Sequence, residues 1–145
     1  MQAYPHHYAV SAEAERESAI TLSGTDLPDL SSGPPPEFDG PGGIWSPETL
    51  FVAAIADCFI LTFRAIARAS NLPWIALRCE AEGTLDRIER VTQFTEIRIH
   101  AHLQVPTGVD IAKAQRLMEK SENGCLITNS IKSARHLEAT IEIVG

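Results

Sequence analysis

Ser46-Pro47-Glu48-Thr49-Leu50-Phe51-Val52-Ala53-Ala54-Ile55-Ala56-Asp57-Cys58-Phe59-Ile60-Leu61-Thr62-Phe63 is the stretch on which the fold turns. It opens as helices open. The Ser46 hydroxyl can accept from the first free amides, Pro47 has no N–H to leave unpaired, and Glu48 complements the positive end of a helix. Stop signals follow at Asn71 and Pro73, which predicts a helix to about Ser70. Its composition is mostly apolar, with Asp57, Arg64 and Arg68 aligned in one narrow polar stripe. Such a helix is expected to be buried on most sides and to form the centre of the fold. The apolar run Leu50–Phe63, broken by Asp57, reads as too short to span a bilayer.

Outward from this helix the chain changes character. Ser31–Gly43 holds four Gly and four Pro in thirteen residues and reads as a loop. Before it, Tyr8–Val10 and Ser18–Leu22 predict short strands with a turn near Glu13–Arg16, and Thr25–Leu30 reads as irregular. After the helix, Ile75, Leu77, Cys79 and Ala81 alternate with polar residues over Trp74–Glu82. Ile97, Ile99, Ala101, Leu103 and Val105 do the same over Phe94–Val105. Period-two alternation is the mark of a strand with one buried face. Leu85–Val91 reads as a middle strand or hairpin arm. A second helix is expected over Val109–Glu122, ended by Asn123-Gly124. Cys125 then opens a short helical turn to about Lys132, and His136–Val144 closes the chain as a strand. This order gives the α+β class, with antiparallel sheets around a long central helix.

The 145 residues suit a single domain over 1–145, and 44% apolar with 21% charged residues is globular composition. The net charge of −7, without a basic stripe, argues against a nucleic-acid partner. The first fifteen residues lack Lys, Arg and an apolar run, so a cytoplasmic protein with no membrane partner is expected. Three cysteines without close spacing suit neither a disulfide framework nor a zinc knuckle.

Each cysteine has a plain and a chemical reading. Cys58 lies mid-helix, with Phe51, Ala54, Ile55, Leu61, Thr62 and Ala65 on its side; alone, it reads as a small core residue. Cys79 alternates with Ile75 and Leu77 and reads as core. Cys125 follows a glycine at the start of a turn, where unpaired amides lower a thiol's pKa; a plain cap is the alternative. Glu48 is the candidate carboxylate for a thiol site, although alone it reads as a helix-start residue. It precedes Cys58 by ten positions, roughly 15 Å along a helix axis. The two cannot touch within one helix, so a joint role requires the helix of a second copy. His100 and His102 share a strand face with Arg98 and Gln104, which reads as a solvated face; no third ligand accompanies them, and neither metal nor cofactor is expected. Trp45 and Phe51 read equally as a pocket wall or as packing at the helix entry. No phosphate loop, nucleophile elbow or dinucleotide fingerprint occurs.

The stretch Gly42-Gly43-Ile44-Trp45-Ser46-Pro47-Glu48-Thr49-Leu50-Phe51, followed by Ala56-Asp57-Cys58-Phe59, resembles the family of osmotically inducible protein C and the organic hydroperoxide resistance proteins (OsmC/Ohr). Glu122-Asn123-Gly124-Cys125-Leu126-Ile127-Thr128-Asn129-Ser130-Ile131-Lys132 is similar to that family's second cysteine region. The likeness runs from about Gly40 to Val144 and is nearer to the OsmC-like subgroups than to the Ohr branch. It implies an intertwined homodimer with two sites at the interface, and a thiol peroxidase acting on organic hydroperoxides. By that resemblance Cys58 is peroxidatic, Cys125 is resolving through a Cys58–Cys125 disulfide, Glu48 orients a cation, and an external dithiol resets the enzyme. The family's arginine follows a Gly-Gly motif in the N-terminal strands, and that motif is absent here. Arg16, the only Arg before the long helix, takes its place as candidate, although between Glu15 and Glu17 it also suits a solvated turn. Leu126 stands where the family commonly has Pro. The alternative function is a non-catalytic OsmC-like dimer that binds a small ligand or is purely structural.

Overall fold

The structure is a computed structural model and describes residues 1–145. The chain divides into two compact units, residues 1–50 and 51–145.

In the first unit, β1 (Ser11–Glu13), β2 (Ile20–Ser23) and β3 (Leu30–Ser32) form an antiparallel sheet in that order. The first strand lies three residues later than Tyr8–Val10, and β3 takes residues expected to be irregular or loop. Such short segments carry little intrinsic preference and take their structure from the strand beside them: Ile20 pairs with Ser32 and Leu22 with Leu30. The Pro/Gly segment is otherwise a loop holding one 3-10 turn at Pro36–Phe38, which ends on Asp39 at φ 62°. A Cβ at Gly40 would collide with the Pro34 carbonyl, so the loop closes only on glycine.

Helix α1 runs from Pro47 to Ala69. Its start is a reciprocal cap: Thr49 N–H donates to Ser46 Oγ at 3.1 Å, and Ser46 N–H donates to Thr49 Oγ1 at 2.9 Å. Its end is equally local. Asn71 takes a left-handed conformation (φ 53°), Leu72 N–H reaches the Ala67 carbonyl at 2.9 Å, and Asn71 N–H reaches the Arg68 carbonyl at 3.2 Å.

The second unit centres on β5 (Val91–Val105), which pairs with β4 (Ala76–Ile88) on one side and β6 (Ala134–Ile143) on the other. Leu85–Ile88 belongs to β4 and Val91 to β5, so the two form one long hairpin with no separate middle strand. Glu89 and Arg90 make its two-residue turn, both at positive φ (49° and 70°), the geometry that matches the twist of paired strands. The pairing shifts between Thr84 and Leu85, where β5 carries one extra residue, Thr95. A Cβ at Gly83 would stand 2.9 Å from both the Phe94 ring and Val52 Cγ2, so glycine lets α1 approach the sheet there.

The second sheet is mixed rather than wholly antiparallel, because β6 runs parallel to β5. Helix α2 (Ile111–Gly124) lies between them in sequence and makes the crossover that a parallel pair requires. It starts on Asp110, whose side chain accepts from Lys113 N–H, two residues later than expected. It also runs through Asn123 and Gly124 and ends with Cys125 as an extended cap. A single core joins Ile55, Phe59, Phe63 and Ala67 of α1, the inward residues of β5 from Ile97 to Val105, and Ala114, Leu117 and Met118 of α2.

The expectation that α1 is buried on most sides does not hold for the single chain. Only Ile55, Cys58, Phe59, Phe63 and Ala67 of its 23 residues are buried. Leu61 is 53% exposed, Ala65 and Ala69 are exposed, and Val52, Ala53, Ala54 and Ile60 are half-buried. By length and composition α1 could also cross a membrane, contrary to the reading of Leu50–Phe63 as too short; its buried stripe packs in the core of the second unit.

Candidate active site

Two helical stripes aim their thiols at one point. On α2 the buried positions Ala114, Leu117, Met118 and Ser121 recur at three- and four-residue spacing, and Cys125, 1% exposed, continues that line past the helix end. On α1, Cys58 lies on the stripe with Ile55 and Phe59. The helices run antiparallel. Lys113 Nζ donates to the Ser70 carbonyl at 2.9 Å at one end, while Gly124 lies beside Thr62 nearer the other. Cys58 and Cys125 are neighbours close enough to perturb each other's titration, both as free thiols.

Burial acts first on Cys58 and pushes its pKa up, and its hydrogen bond to the Cys125 sulfur adds to that. The Ile127 amide and the Thr62 hydroxyl, 3.8 Å from the Cys58 sulfur, oppose it without reversing it. At Cys125 burial also raises the pKa. Hydrogen bonds from Cys58, from the Thr128 side chain and amide, and from the Ile127 amide together outweigh burial and bring it down. Hydrogen bonding thus favours the Cys125 thiolate while burial disfavours that of Cys58, and the two thiols titrate as a pair. The turn residues supply these donors: residue 125 is followed by the 3-10 turn Thr128–Ser130, with Asn129 N–H donating to the Cys125 carbonyl at 2.9 Å. The helical turn expected to open at Cys125 thus begins three residues later, and its free amides face the thiols.

Cys79 is half-buried on the inward face of β4, and its pKa is pushed up to about 12 by burial first and by the charge of Cys125. It stays a thiol through the physiological range. Glu48 stands in the first turn of α1, with Oε2 buried and without a hydrogen-bond partner. Arg16 is exposed in the turn between β1 and β2, beside Glu15 and Glu17. Trp45 is 47% exposed, while Phe51 stacks on Phe94 with ring centroids 4.7 Å apart. His102 bonds Thr140 Oγ1 at 2.7 Å and Glu142 Oε2 at 2.8 Å across the parallel pair. Of the predicted residues, the structure thus brings together Cys58 and Cys125.

One polar residue near the site escaped the sequence reading. Arg135 on β6 places Nε 3.2 Å from Glu122 Oε1 and donates from Nη1 to Asn129 Oδ1 at 3.1 Å. In sequence it stands just before the predicted strand His136–Val144, whereas β6 begins at Ala134; only the parallel placement of β6 sets Arg135 against the Cys125 turn.

Residues 40–140 match the OsmC-like protein family. YmaD, an uncharacterized protein of Bacillus subtilis (strain 168), is 30% identical, with 97% of each chain covered. Among solved structures, an OsmC-like protein of unknown function from Vibrio cholerae superposes with a TM-score of 0.81 at 17% identity, covering 97% of this chain and 100% of its own. An organic hydroperoxide resistance protein OsmC from Legionella pneumophila gives a TM-score of 0.75 at 23% identity, covering 97% and 99%. At these identities the two structures share the fold.

Proposed function

Since the chain belongs to the OsmC-like protein family, we propose that it is a homodimeric, cysteine-based hydroperoxide reductase of the cytoplasm. The observation that carries this reading is the meeting of Cys58 and Cys125, from two helices far apart in sequence, as free thiols inside the core.

In the proposed cycle the Cys58 thiolate attacks the terminal oxygen of an organic hydroperoxide. The O–O bond breaks, the alkoxide leaves and takes a proton to become the alcohol, and Cys58 becomes a sulfenic acid. The Cys125 sulfur then attacks the Cys58 sulfur. The S–O bond breaks, water leaves, and a Cys58–Cys125 disulfide remains, which an external dithiol reduces by exchange. Hydrogen peroxide is a second substrate for comparison.

Burial raises the Cys58 pKa in the single chain, so attack needs a cation to favour its thiolate. Glu48, with a buried and unpartnered carboxylate oxygen, suits a residue that holds a guanidinium. Arg16 is the candidate for that guanidinium. Glu48 lies roughly 15 Å from Cys58 along α1, so Glu48 of one copy would serve the Cys58 of the other. The exposed and half-buried apolar residues of α1, Leu61 among them, support such a pairing, because apolar surface left open on a core helix suits a partner helix.

The second reading, a non-catalytic dimer that binds a small ligand or is structural, is favoured by the same raised Cys58 pKa. Stopped-flow reduction of an alkyl hydroperoxide and of hydrogen peroxide by wild type and Cys58→Ser decides between the two. Peroxide consumption that vanishes in Cys58→Ser, with a Cys58–Cys125 disulfide detected by mass spectrometry, is the expected result. Equal rates with both thiols still free to alkylation would sink the peroxidase reading.

A further inference from the structure

The turn that carries Cys125 is gripped by a side chain from outside it. Arg135 pairs with Glu122, three positions before Cys125, and with Asn129, four positions after it. Asn129 then ties the turn to itself: its Nδ2 donates to the Asn123 carbonyl at 3.1 Å, and its backbone N–H donates to the Cys125 carbonyl at 2.9 Å. The guanidinium fork therefore bridges both flanks of the thiol.

The Arg135–Glu122 pair differs from the other arginine pairs of this sheet. Its side chains are 26% and 13% exposed, against 75% and 61% for Arg78–Glu80. Glu122 Oε1 is buried with no other partner, and although Arg135 Nε is not aligned on it for a hydrogen bond, it is the one neutralising charge at 3.2 Å. An exposed pair is screened and nearly neutral in stability, whereas a shielded one is costly to break from one side. Arg135 sits on the inward-facing side of β6 with Leu137 and Ala139, so the strand itself anchors the grip.

We propose that Arg135 is a positioning residue for the thiol pair: by closing the 122–129 turn it holds the Cys125 sulfur against Cys58 and sets how readily their disulfide forms. This rests on reading Cys58 and Cys125 as a redox pair, but not on peroxide as the oxidant. With oxidised dithiothreitol, two electrons and two protons pass from the thiols to the reagent, a Cys58–Cys125 bond forms, and reduced dithiothreitol is released. Loss of the grip lowers the effective concentration of one thiol at the other, which the exchange equilibrium reads directly.

The experiment equilibrates wild type, Arg135→Met and Arg135→Lys with mixtures of reduced and oxidised dithiothreitol, then quantifies the disulfide by alkylation and mass spectrometry. Thermal melts of the reduced forms run alongside. Arg135→Met should shift the equilibrium toward the dithiol by about tenfold, about 30 mV for a two-electron couple. Arg135→Lys, which keeps the charge but loses the fork, should recover part of that shift. If Arg135→Met does not fold, Asn129→Ala at an exposed position removes the second arm and should move the equilibrium the same way by about threefold, since additive loss of one of two contacts is expected to be smaller. Variants that equilibrate at the wild-type ratio overturn the proposal while leaving the peroxidase reading intact. A wild type that closes the disulfide with dithiothreitol, loses it in Arg135→Met, yet consumes no peroxide upholds the grip and removes the peroxidase. A wild type that never closes the disulfide overturns both.

Discussion

At Cys125, burial and hydrogen bonding pull in opposite directions, and at Cys79 burial stands almost unopposed. That difference is measurable. Unfolded cysteine titrates near 8.5, while Cys79 in the folded chain is pushed up to about 12. The folded state therefore keeps a proton that the unfolded state loses, and Cys79 favours folding fully below pH about 8.5. This contribution is lost progressively as pH rises from there toward 12. The melting temperature of the reduced protein should fall over that window, and the fall should be shallower in Cys79→Ala. In native-state labelling at pH 8 Cys79 should react with iodoacetamide after Cys125, and peroxide reduction should survive Cys79→Ala. Fast labelling of Cys79 would remove this account of its environment.

At the scale of elements, the β4–β5 turn stores strain that design can remove. Glu89 and Arg90 both sit at positive φ, where a side chain is disfavoured and Asn-Gly is not. The double substitution Glu89→Asn, Arg90→Gly should stabilise the chain by about 1 kcal/mol and raise the melting temperature by about 3 °C, with the thiols unaffected. Asp110→Ala should cost about 1 kcal/mol, because Lys113 N–H loses its acceptor. These two sites also mark the limit of what the sequence discloses. The ends of α1 are legible because Ser46, Pro47, Asn71 and Pro73 act within one turn of themselves. Leu85–Val91 is legible as a hairpin arm, but the turn itself is not, because Glu-Arg is no turn signal and the pairing of Leu85 with Phe94 imposes its geometry. The parallel placement of β6 is a non-local fact that no period within His136–Val144 encodes. Gly124 reads as a helix end yet stays helical, and that misplaces the turn after Cys125. Both thiols can be singled out from their flanking residues and the family resemblance, whereas Arg135 cannot, since its partners Glu122 and Asn129 meet it only across the crossover.

For the whole molecule the exposed face of α1 governs. If the working unit is a dimer, its stability includes a mass-action term and the melting temperature should rise with protein concentration. Leu61→Glu, at a 53% exposed apolar position of that helix, should weaken the dimer by about 2 kcal/mol, roughly thirtyfold in Kd. Sedimentation would register the shift to monomer, and on the proposed pairing of Glu48 with Cys58 across copies peroxide turnover should fall with it. A wild-type chain that sediments as a monomer at all concentrations removes the shared site. The separation of the two thiols along the chain has a further bearing. A bond between residues 58 and 125 would enclose the whole β4–β5 hairpin and α2, and closing a loop of that length restrains the unfolded chain by about 4 kcal/mol. The oxidised protein should then melt roughly 10 °C above the reduced one. Redox state would thereby be written into lifetime: chains caught in the oxidised form would outlast their reduced copies under protease attack, and molecules would persist while they await an electron donor.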